Sequence, residues 1–162
     1  MIMMKQKTFM MLKPDAFTNQ YEEILKDLKA HGLKIEKQVK LEVDMDVMKT
    51  LLDHYKGVID SMDKAFDFPG KLFNSFYYDG PHYIMPMMIT YEGNQDIIEY
   101  TRALVGKTNP KDAGKDTIRG KYSHDDYEQA TKQWRLVNNV IHASDSHESA
   151  ERELAIWRKY FE

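Results

Sequence analysis

Residues 138–153 read Asn-Asn-Val-Ile-His-Ala-Ser-Asp-Ser-His-Glu-Ser-Ala-Glu-Arg-Glu, and this stretch decides how the chain is interpreted. It places His142 directly after an apolar pair and directly before a dense helix-start signal. Three side chains of the kind that caps a helix N-terminus follow: Asp145, Ser146 and Ser149. Asp145 and Glu148 also have the spacing of a capping box. Because the free amides and the dipole of a helix N-terminus favour negative charge, the surroundings of His142 suit a phosphate group.

The helix that follows this signal is predicted to be amphipathic. Its apolar residues recur at steps of four, three and four: Ala150, Leu154, Trp157 and Phe161. This spacing places them on one stripe of a helix, the pattern of a helix with one face on a core.

The first part of the chain predicts a β-α-β order. Segment 7–13 is a short apolar strand candidate that stops at Pro14, and 33–43 carries apolar residues at alternate positions, as a half-buried strand does. Between them, 21–31 has apolar residues at helical spacing and ends at Gly32, a typical helix C-cap.

Further helices are predicted over 46–55, 71–78 and 96–104. A third strand is predicted from near Met87 to Tyr91, because Pro86 cannot donate to a sheet ladder and belongs at an edge, a bulge or a strand's first residue. Residues 107–120 predict a long ordered loop, and loops of that length are usually functional. Strands mixed with helices, with no repeat or domain boundary, favour an α+β or α/β arrangement.

Composition limits the class of protein. The 162 residues suit one domain over 1–162, and no apolar run approaches the roughly 18 residues of a membrane span. The chain start shows no apolar secretion signal, and the absence of cysteine removes disulfides and thiolate metal sites. We therefore expect a cytoplasmic protein without a membrane partner. Lys and Arg number 23 against 26 Asp and Glu, which argues against a nucleic-acid-binding module and requires any phosphate to be held locally.

Three separated segments together resemble the nucleoside diphosphate kinase family: 8–16 (TFMMLKPDA), 108–110 (TNP) with 117–120 (TIRG), and 139–153. The resemblance runs from about residue 7 to residue 157, and its middle matches less well than its ends. It implies an α+β fold: a ferredoxin-like antiparallel four-stranded sheet with helices on one face and a helical hairpin over the nucleotide site. It also implies transfer of the terminal phosphate of a nucleoside triphosphate, with ATP as donor, to a nucleoside diphosphate. The family route is ping-pong, through a phosphohistidine.

By this resemblance His142 is the nucleophile. An imidazole is partly unprotonated near neutral pH, so one ring nitrogen can attack phosphorus while an acceptor holds the other. Glu153 matches the family glutamate that is this acceptor. Ser144 matches a serine near the phosphoryl group, to which its hydroxyl can donate, and Tyr55 matches a tyrosine that helps to place Lys13 and the phosphate.

The resemblance also supplies a clamp for the nucleotide. Phosphoryl transfer needs positioning and positive charge, and Lys13, Arg102 and Arg119 fall on family positions that provide them. Lys13 is expected on the transferred phosphate and the ribose, and the two arginines on the outer phosphates. Thr108 matches a threonine that binds a phosphate, and Asn139 matches the asparagine that binds the ribose 3′-hydroxyl.

Mg²⁺ is the expected cofactor, arriving with the nucleotide because it prefers phosphate oxygens, waters and at most a carboxylate. Asp145 is the nearest protein partner for it, through water. The other histidines show no ligand spacing, which predicts mostly surface positions and argues against a zinc site: His31, His54, His82, His124 and His147.

The base contact departs from the family pattern. Counting back from Pro69-Gly70 places Asp67, not an aromatic residue, at the position that stacks on the base. A shift of one residue would bring Phe66 or Phe68 there, and we favour Phe66, since stacking needs only a π face. Leu136 is the candidate for the opposite apolar contact.

The segment 121–137 is roughly ten residues longer than the family connection and predicts an extra helix starting near His124. The family's Arg-Gly pair is also missing at 18–21, so assembly does not follow directly. Homo-oligomerisation is expected, with dimer, tetramer and hexamer left open. The alternative function is a catalytically weak nucleotide-binding regulatory or scaffold protein of the same fold, although the nucleophile and the cationic clamp are all present.

Overall fold

Strand β1 (Lys5–Leu12) lies in the interior of the sheet, and its sequence explains why. Its residues from Thr8 to Leu12 are all buried, as expected for a strand covered on both faces. In the computed structural model, which describes residues 4–162, β1 pairs antiparallel with β4 (Tyr83–Glu92) on one side and with β5 (Ile141–Ala143) on the other.

The outer edge of β4 carries two short strands, β2 (Lys34–Gln38) and β3 (Leu41–Glu42). The order across the sheet is β2-β4-β1-β5, with β3 continuing beside β4, and every pairing is antiparallel. The predicted α+β fold with a ferredoxin-like four-stranded antiparallel sheet is therefore confirmed.

Eight helices surround the sheet within residues 4–162. They are α1 (Tyr21–Ala30), α2 (Met45–His54), α3 (Lys56–Ser61), α4 (Phe68–Phe76), α5 (Ile97–Val105), α6 (Ile118–Tyr122), α7 (Tyr127–Lys132) and α8 (His147–Phe161). None of them is long and apolar enough to cross a bilayer. The expectation about a secretion signal rests partly on residues 1–3, which lie outside the described residues.

Strand β1 divides the apolar residues between two cores. Met10 and Leu12 pack with α1, α5 and α6, whereas Phe9 and Met11 pack with α2, α4 and α8. Successive side chains of a strand point to opposite faces, so these helices cover both faces of the sheet. The expectation of helices on one face only is therefore wrong.

Pro86 lies inside β4 rather than at its start, so the prediction of a strand beginning near Met87 is wrong; β4 begins at Tyr83. The Pro86 carbonyl accepts a hydrogen bond from the Val39 amide at 3.3 Å. Its nitrogen points to the same side, where β2 has ended and β3 has not begun. No ladder bond is lost there, and the same gap divides the predicted strand 33–43 in two.

Helix ends follow local capping chemistry. The N-cap of α8 is Ser146, whose hydroxyl accepts from the Ser149 amide at 3.0 Å, so the proposed Asp145–Glu148 capping box is wrong. After α1, Gly32 has φ +83°, and the Leu33 amide donates to the Leu28 carbonyl across it. The predicted glycine C-cap is confirmed, because this geometry favours a residue without Cβ.

The segment 121–137 contains the extra helix in a shorter form than predicted. Helix α7 starts at Tyr127, with Asp126 as its N-cap, rather than near His124. The predicted loop 107–120 also contains a 3-10 turn (Pro110–Asp112) and the start of α6.

Two adjacent leucines of α2 test the core on its helical side. Leu51 is fully buried, whereas the Leu52 side chain is 38% exposed. We expect Leu51→Ala to lower the free energy of unfolding by about 2–5 kcal/mol, because a cavity replaces buried methyl groups. Urea denaturation measures this, and Leu52→Ala is the matched control, with an expected loss below about 1 kcal/mol. Equal losses in the two variants would contradict the assignment of this face.

Candidate active site

His142 is the middle residue of β5 and keeps one edge of its ring accessible. Its Nε2 lies 2.8 Å from Oε1 of Glu153, and its side chain is 20% exposed. Because a carboxylate only accepts, this contact places the proton of a neutral ring on Nε2. Nδ1 is then the nitrogen with a free lone pair, which is the state a nucleophile needs.

A strained turn delivers the chain to β5. Val140 has φ +60°, and the Ile141 amide donates to the Asn139 carbonyl at 2.7 Å. A β-branched residue in this conformation costs on the order of 1–3 kcal/mol and persists only where its surroundings fix it. Here the Val140 amide donates to Oδ2 of Asp15, and the Val140 carbonyl accepts from the Lys13 amide. The position of His142 is therefore set by bonds to the end of β1.

Ser144 occupies a different place from the one expected. It is fully buried, and its hydroxyl donates to Oε1 of Glu153 at 2.6 Å rather than facing the cavity. The expected direct contact with the phosphoryl group is not what the structure shows. Ser144 and His142 instead share one carboxylate oxygen, so the hydroxyl helps to hold the carboxylate against the ring.

His54 is the site residue that the sequence did not reveal, since it was expected at the surface and is 2% exposed. Its Nδ1 accepts from the indole Nε1 of Trp157 at 3.0 Å, so a neutral ring carries its proton on Nε2. That Nε2 lies 4.0 Å from Oε2 of Glu153, and the ring centroid lies 4.6 Å from that of His142. The one sequence signal was its helical spacing in α2, three residues beyond Leu51.

His54 is held neutral by its surroundings. Burial, followed by the charges of His142 and Arg152, holds the pKa of His54 well below its usual range. A neutral ring presents an N–H dipole to the Glu153 carboxylate and adds no positive charge beside His142.

His54, His142 and Glu153 each offer one potential metal-ligating atom. These three atoms lie within 4.8 Å of one another, which is close enough to surround a metal ion. The hydrogen bond from Trp157 opposes this use of the cluster, because it leaves Nε2 of His54 protonated and without a lone pair for a metal. The Trp157 indole therefore favours a hydrogen-bonding role for this cluster over a metal-binding one.

Most of the predicted site residues line one cavity of about 810 Å³. They are Lys13, Tyr55, Phe66, Arg102, Thr108, Arg119, Leu136, Asn139, His142, Asp145 and Glu153, together with Phe68 and His54. Among the predicted residues, Ser144 lies outside this lining. A cavity of this volume that combines an apolar end with converging polar groups has the features of a small-molecule site.

Lys13 is buried at the floor of the cavity. Its Nζ donates to Oδ1 of Asn139 at 2.7 Å and to the Val137 carbonyl at 3.1 Å. Burial lowers the pKa of Lys13 to about 8, with the charge of Asp15 acting in the opposite direction and that of Arg119 adding to the lowering. Lys13 therefore changes charge close to physiological pH, unlike an exposed lysine.

Arg119 is anchored by backbone rather than by carboxylates. Its two terminal nitrogens donate to the carbonyls of Gly106 and Ile141, at 3.1 and 2.7 Å. Burial, and then the nearby Arg102, lower the pKa of Arg119 to about 10, which leaves it cationic at neutral pH. Arg102 is exposed on the same cavity. Among residues 4–162 neither arginine lies within ion-pair distance of a carboxylate, and two such cations on one cavity favour an anionic ligand.

The aromatic end of the cavity lies on the hairpin formed by α3 and α4. Phe66 and Phe68 both line it, and Tyr55 packs beside Phe68 with ring centroids 5.5 Å apart and ring planes tilted by 53°. Asp67 has φ +56° and caps α4 by accepting from the Gly70 amide. Both phenylalanines thus remain candidates for the base contact, and the choice of Phe66 stays a prediction.

Comparisons with known proteins agree on one family. The family model for nucleoside diphosphate kinase matches residues 6–162. A nucleoside diphosphate kinase of Methanosphaera stadtmanae is 39% identical over 158 residues, covering 95% of this chain and 86% of that one. One from Streptococcus uberis is 34% identical over 94% of this chain and 93% of its own length.

The chain belongs to the nucleoside diphosphate kinase family.

Solved structures of the family agree with the fold. A Borrelia burgdorferi nucleoside diphosphate kinase with bound vanadate and ADP superposes with a TM-score of 0.80 at 26% identity, covering 94% of this chain and 86% of that one. A Halobacterium salinarum enzyme in complex with CDP gives 0.72 at 27% identity, covering 95% and 88%. The activity is accordingly transfer of the terminal phosphate of a nucleoside triphosphate to a nucleoside diphosphate, which in this family proceeds by ping-pong through a phosphohistidine.

The pH dependence follows from Lys13. Its folded-state pKa is lowered to about 8, so its charge is present below that pH and is lost as the pH rises through it. We expect kcat/KM for nucleotides to fall above about pH 8, because this parameter reports the free enzyme. A bound phosphate raises the same pKa, so kcat should hold to higher pH. Steady-state rates from pH 6 to 10 test this. A flat kcat/KM profile to pH 10 would contradict it, and residual activity in Lys13→Arg should lack the alkaline limb.

Substitution of His54 tests whether its ring supports the Glu153 carboxylate. We expect His54→Phe, which keeps a ring but loses both polar atoms, to slow phosphorylation of His142 about tenfold, equivalent to about 1.4 kcal/mol. The nucleotide KM should change less than about twofold, because the expected effect of His54 is on the Glu153 carboxylate, 4.0 Å from its Nε2, rather than on nucleotide binding. Single-turnover labelling measures both. His54→Gln, whose amide both accepts and donates, should recover part of the rate. An unchanged rate in His54→Phe would show that the ring only fills space.

Proposed function

We propose that His142 carries the phosphoryl group on Nδ1 while Glu153 holds its other nitrogen. The observation that supports this assignment is the 2.8 Å contact from Nε2 of His142 to Glu153, on the same cavity as Lys13 and Arg119. In the first half-reaction Nδ1 forms a bond to the terminal phosphorus, and the bond from that phosphorus to the bridging oxygen breaks. The bridging oxygen leaves with the nucleoside diphosphate, and the Nε2 proton stays in its hydrogen bond to Glu153.

The second half-reaction reverses these bonds. The terminal phosphate oxygen of an acceptor nucleoside diphosphate attacks phosphorus, the N–P bond breaks, and the electron pair returns to Nδ1. One nucleotide site therefore serves donor and acceptor in turn. ATP is the proposed donor.

The remaining polar residues are proposed to hold the nucleotide. Arg102, Arg119 and Thr108 take the outer phosphates, where fixed positive charge stabilises the charge that spreads over the equatorial oxygens. Lys13 and Asn139, joined by a 2.7 Å hydrogen bond, take the transferred phosphate and the ribose hydroxyl. Phe66 and Leu136 take the base, and Tyr55, fixed between His54 and Phe68, helps to place Lys13.

A divalent cation is a general requirement of the family, and we propose Mg²⁺. The residues present fit an ion that arrives with the nucleotide: Asp145 is exposed on the cavity, and hydrogen bonding from Ser149, followed by Arg102 and His142, lowers its pKa. One ionised carboxylate suits contact through water rather than a protein cage. When bound, the ion supplies positive charge to the phosphate oxygens.

The wider setting is proposed from the sequence and the family. We expect a single-domain, cytoplasmic protein that forms a homo-oligomer and needs neither nucleic acid nor a membrane. The two edges of the sheet, β2 and β5, are the strand positions that a partner subunit could approach.

Labelling tests the proposed chemistry. Incubation with γ-labelled ATP and Mg²⁺ should give an acid-labile, alkali-stable label that a nucleoside diphosphate removes. His142→Ala should abolish it, because no other histidine aligns with the nucleophile. His31→Ala is the matched control: it alters an exposed histidine at the end of α1 and should label normally. Undiminished label in His142→Ala would overturn the mechanism.

A further inference from the structure

The insertion, residues 121–137, is fastened to the hairpin, residues 56–76. The indole Nε1 of Trp134 donates to Oδ2 of Asp67 at 3.2 Å, and the Asn74 side chain donates to the Trp134 carbonyl at 2.6 Å. Two residues after Trp134, the Leu136 amide donates to the hydroxyl of Ser75 at 2.9 Å. These three hydrogen bonds join segments about sixty positions apart in the chain.

A buried cation lies at the same junction. Lys71 is 2% exposed, and its Nζ lies 3.6 Å from the ring centroid of Phe66 and 4.9 Å from the Trp134 ring. Attraction between an ammonium and aromatic faces strengthens when water is excluded. Lys71 therefore links an aromatic residue of the hairpin to one of the insertion.

The backbone fixes where the Trp134 indole points. Trp134 has φ +53°, a conformation that favours glycine, at the C-terminal end of α7. The Arg135 amide donates back to the Ala130 carbonyl, and the Arg135 guanidinium pairs with both oxygens of Asp125, at 2.5 and 3.1 Å. A tryptophan held in this strained backbone conformation points to a functional role rather than to a contribution to stability alone.

The two fastened segments face each other across the apolar end of the cavity. The hairpin contributes Val58, Met62, Phe66 and Phe68, and the insertion contributes Tyr127, Ala130, Thr131 and Leu136. Under the proposed function the base lies between these two walls, and we propose that Trp134 and Lys71 are positioning residues that set the distance between them. The proposal rests on the proposed function, since it needs a nucleotide whose phosphates lie at His142.

The walls suit a flat aromatic ligand of either base class. Stacking on side chains depends on the area of the π face more than on hydrogen-bond identity. A purine covers more wall than a pyrimidine, so loosening the walls should weaken purine binding more. This difference separates a positioning role from a general loss of stability, which would not depend on the acceptor.

The test starts from labelled phosphoenzyme and follows its loss to GDP or CDP. In Trp134→Ala we expect the KM for GDP to rise about tenfold, equivalent to about 1.4 kcal/mol, with a smaller rise for CDP. The maximal rate should stay within about twofold, because the change removes binding rather than transition-state contacts. Tyr78→Ala, which alters an exposed aromatic residue (63% exposed) beside the hairpin and off the cavity, is the matched control and should leave both KM values unchanged.

Two further variants locate the effect. Trp134→Phe keeps a ring over Lys71 but loses the donor to Asp67, and should raise the KM for GDP by about threefold, as for one hydrogen bond. Lys71→Met keeps length without charge and should raise the KM as well. Its effect should be smaller in the Trp134→Ala background, because the two residues act through one contact.

The possible results separate a failure of this inference from a failure of the proposed function. Absence of labelled phosphoenzyme in the unaltered protein would overturn the proposed function. Normal labelling with an unchanged KM for GDP in Trp134→Phe and Lys71→Met would overturn the positioning role of these two residues. Equal loss of maximal rate with GDP and CDP, at constant KM, would also overturn it.

Discussion

The site depends on one hydrogen bond, between Nε2 of His142 and Oε1 of Glu153. It decides which nitrogen of the imidazole carries the proton, and so which one keeps a free lone pair. The bond requires β5 and α8 to be fixed relative to each other, because a hydrogen bond weakens steeply outside a narrow range of distance and angle. Much of the surrounding structure can be understood as the means of fixing them.

Helix α8 is held by contacts to α2. Trp157 is fully buried and donates to His54, and Arg152 donates to the carbonyls at the end of α2. Strand β5 is held by β1, through the paired residues and the strained turn at Val140. Glu153 thus reaches His142 from a helix whose orientation is set by apolar burial on the opposite face of the sheet from α1. Packing energy, distributed over many residues, secures a polar contact that alone is worth far less.

The sequence predicted the parts of this arrangement that depend on local pattern. The strand that stops before Pro14, the helix ending before Gly32 and the amphipathic stripe of α8 each have a short-range cause. The site residues were found through the family resemblance, and the structure brings nearly all of them to one cavity. Their individual roles stay predictions.

The predictions that were wrong share a different cause. In each, the residue or strand that determines the local structure lies far away in the sequence. Nothing near Pro86 indicates that β2 ends opposite its nitrogen. Nothing near Ser144 indicates that Glu153, rather than the cavity, receives its hydroxyl. His54 looked like a surface histidine because burial by Trp157, more than one hundred positions later, is invisible locally. Long-range partners of this kind are set by the tertiary fold, which overrides local pattern.

Asn139 shows what such distant partners mean for sequence change. Its side-chain oxygen Oδ1 accepts a hydrogen bond from Lys13, which belongs to the first motif segment. Its side-chain nitrogen Nδ2 donates to the backbone carbonyl of Thr108, in the second segment. Asn139 itself begins the third segment. A single planar amide therefore ties together all three stretches by which the chain was recognised. Aspartate would keep the acceptor and lose the donor, and a shorter side chain would lose both. Substitutions in any one stretch are thus constrained by the other two, so we expect substitutions in the three stretches to be coupled.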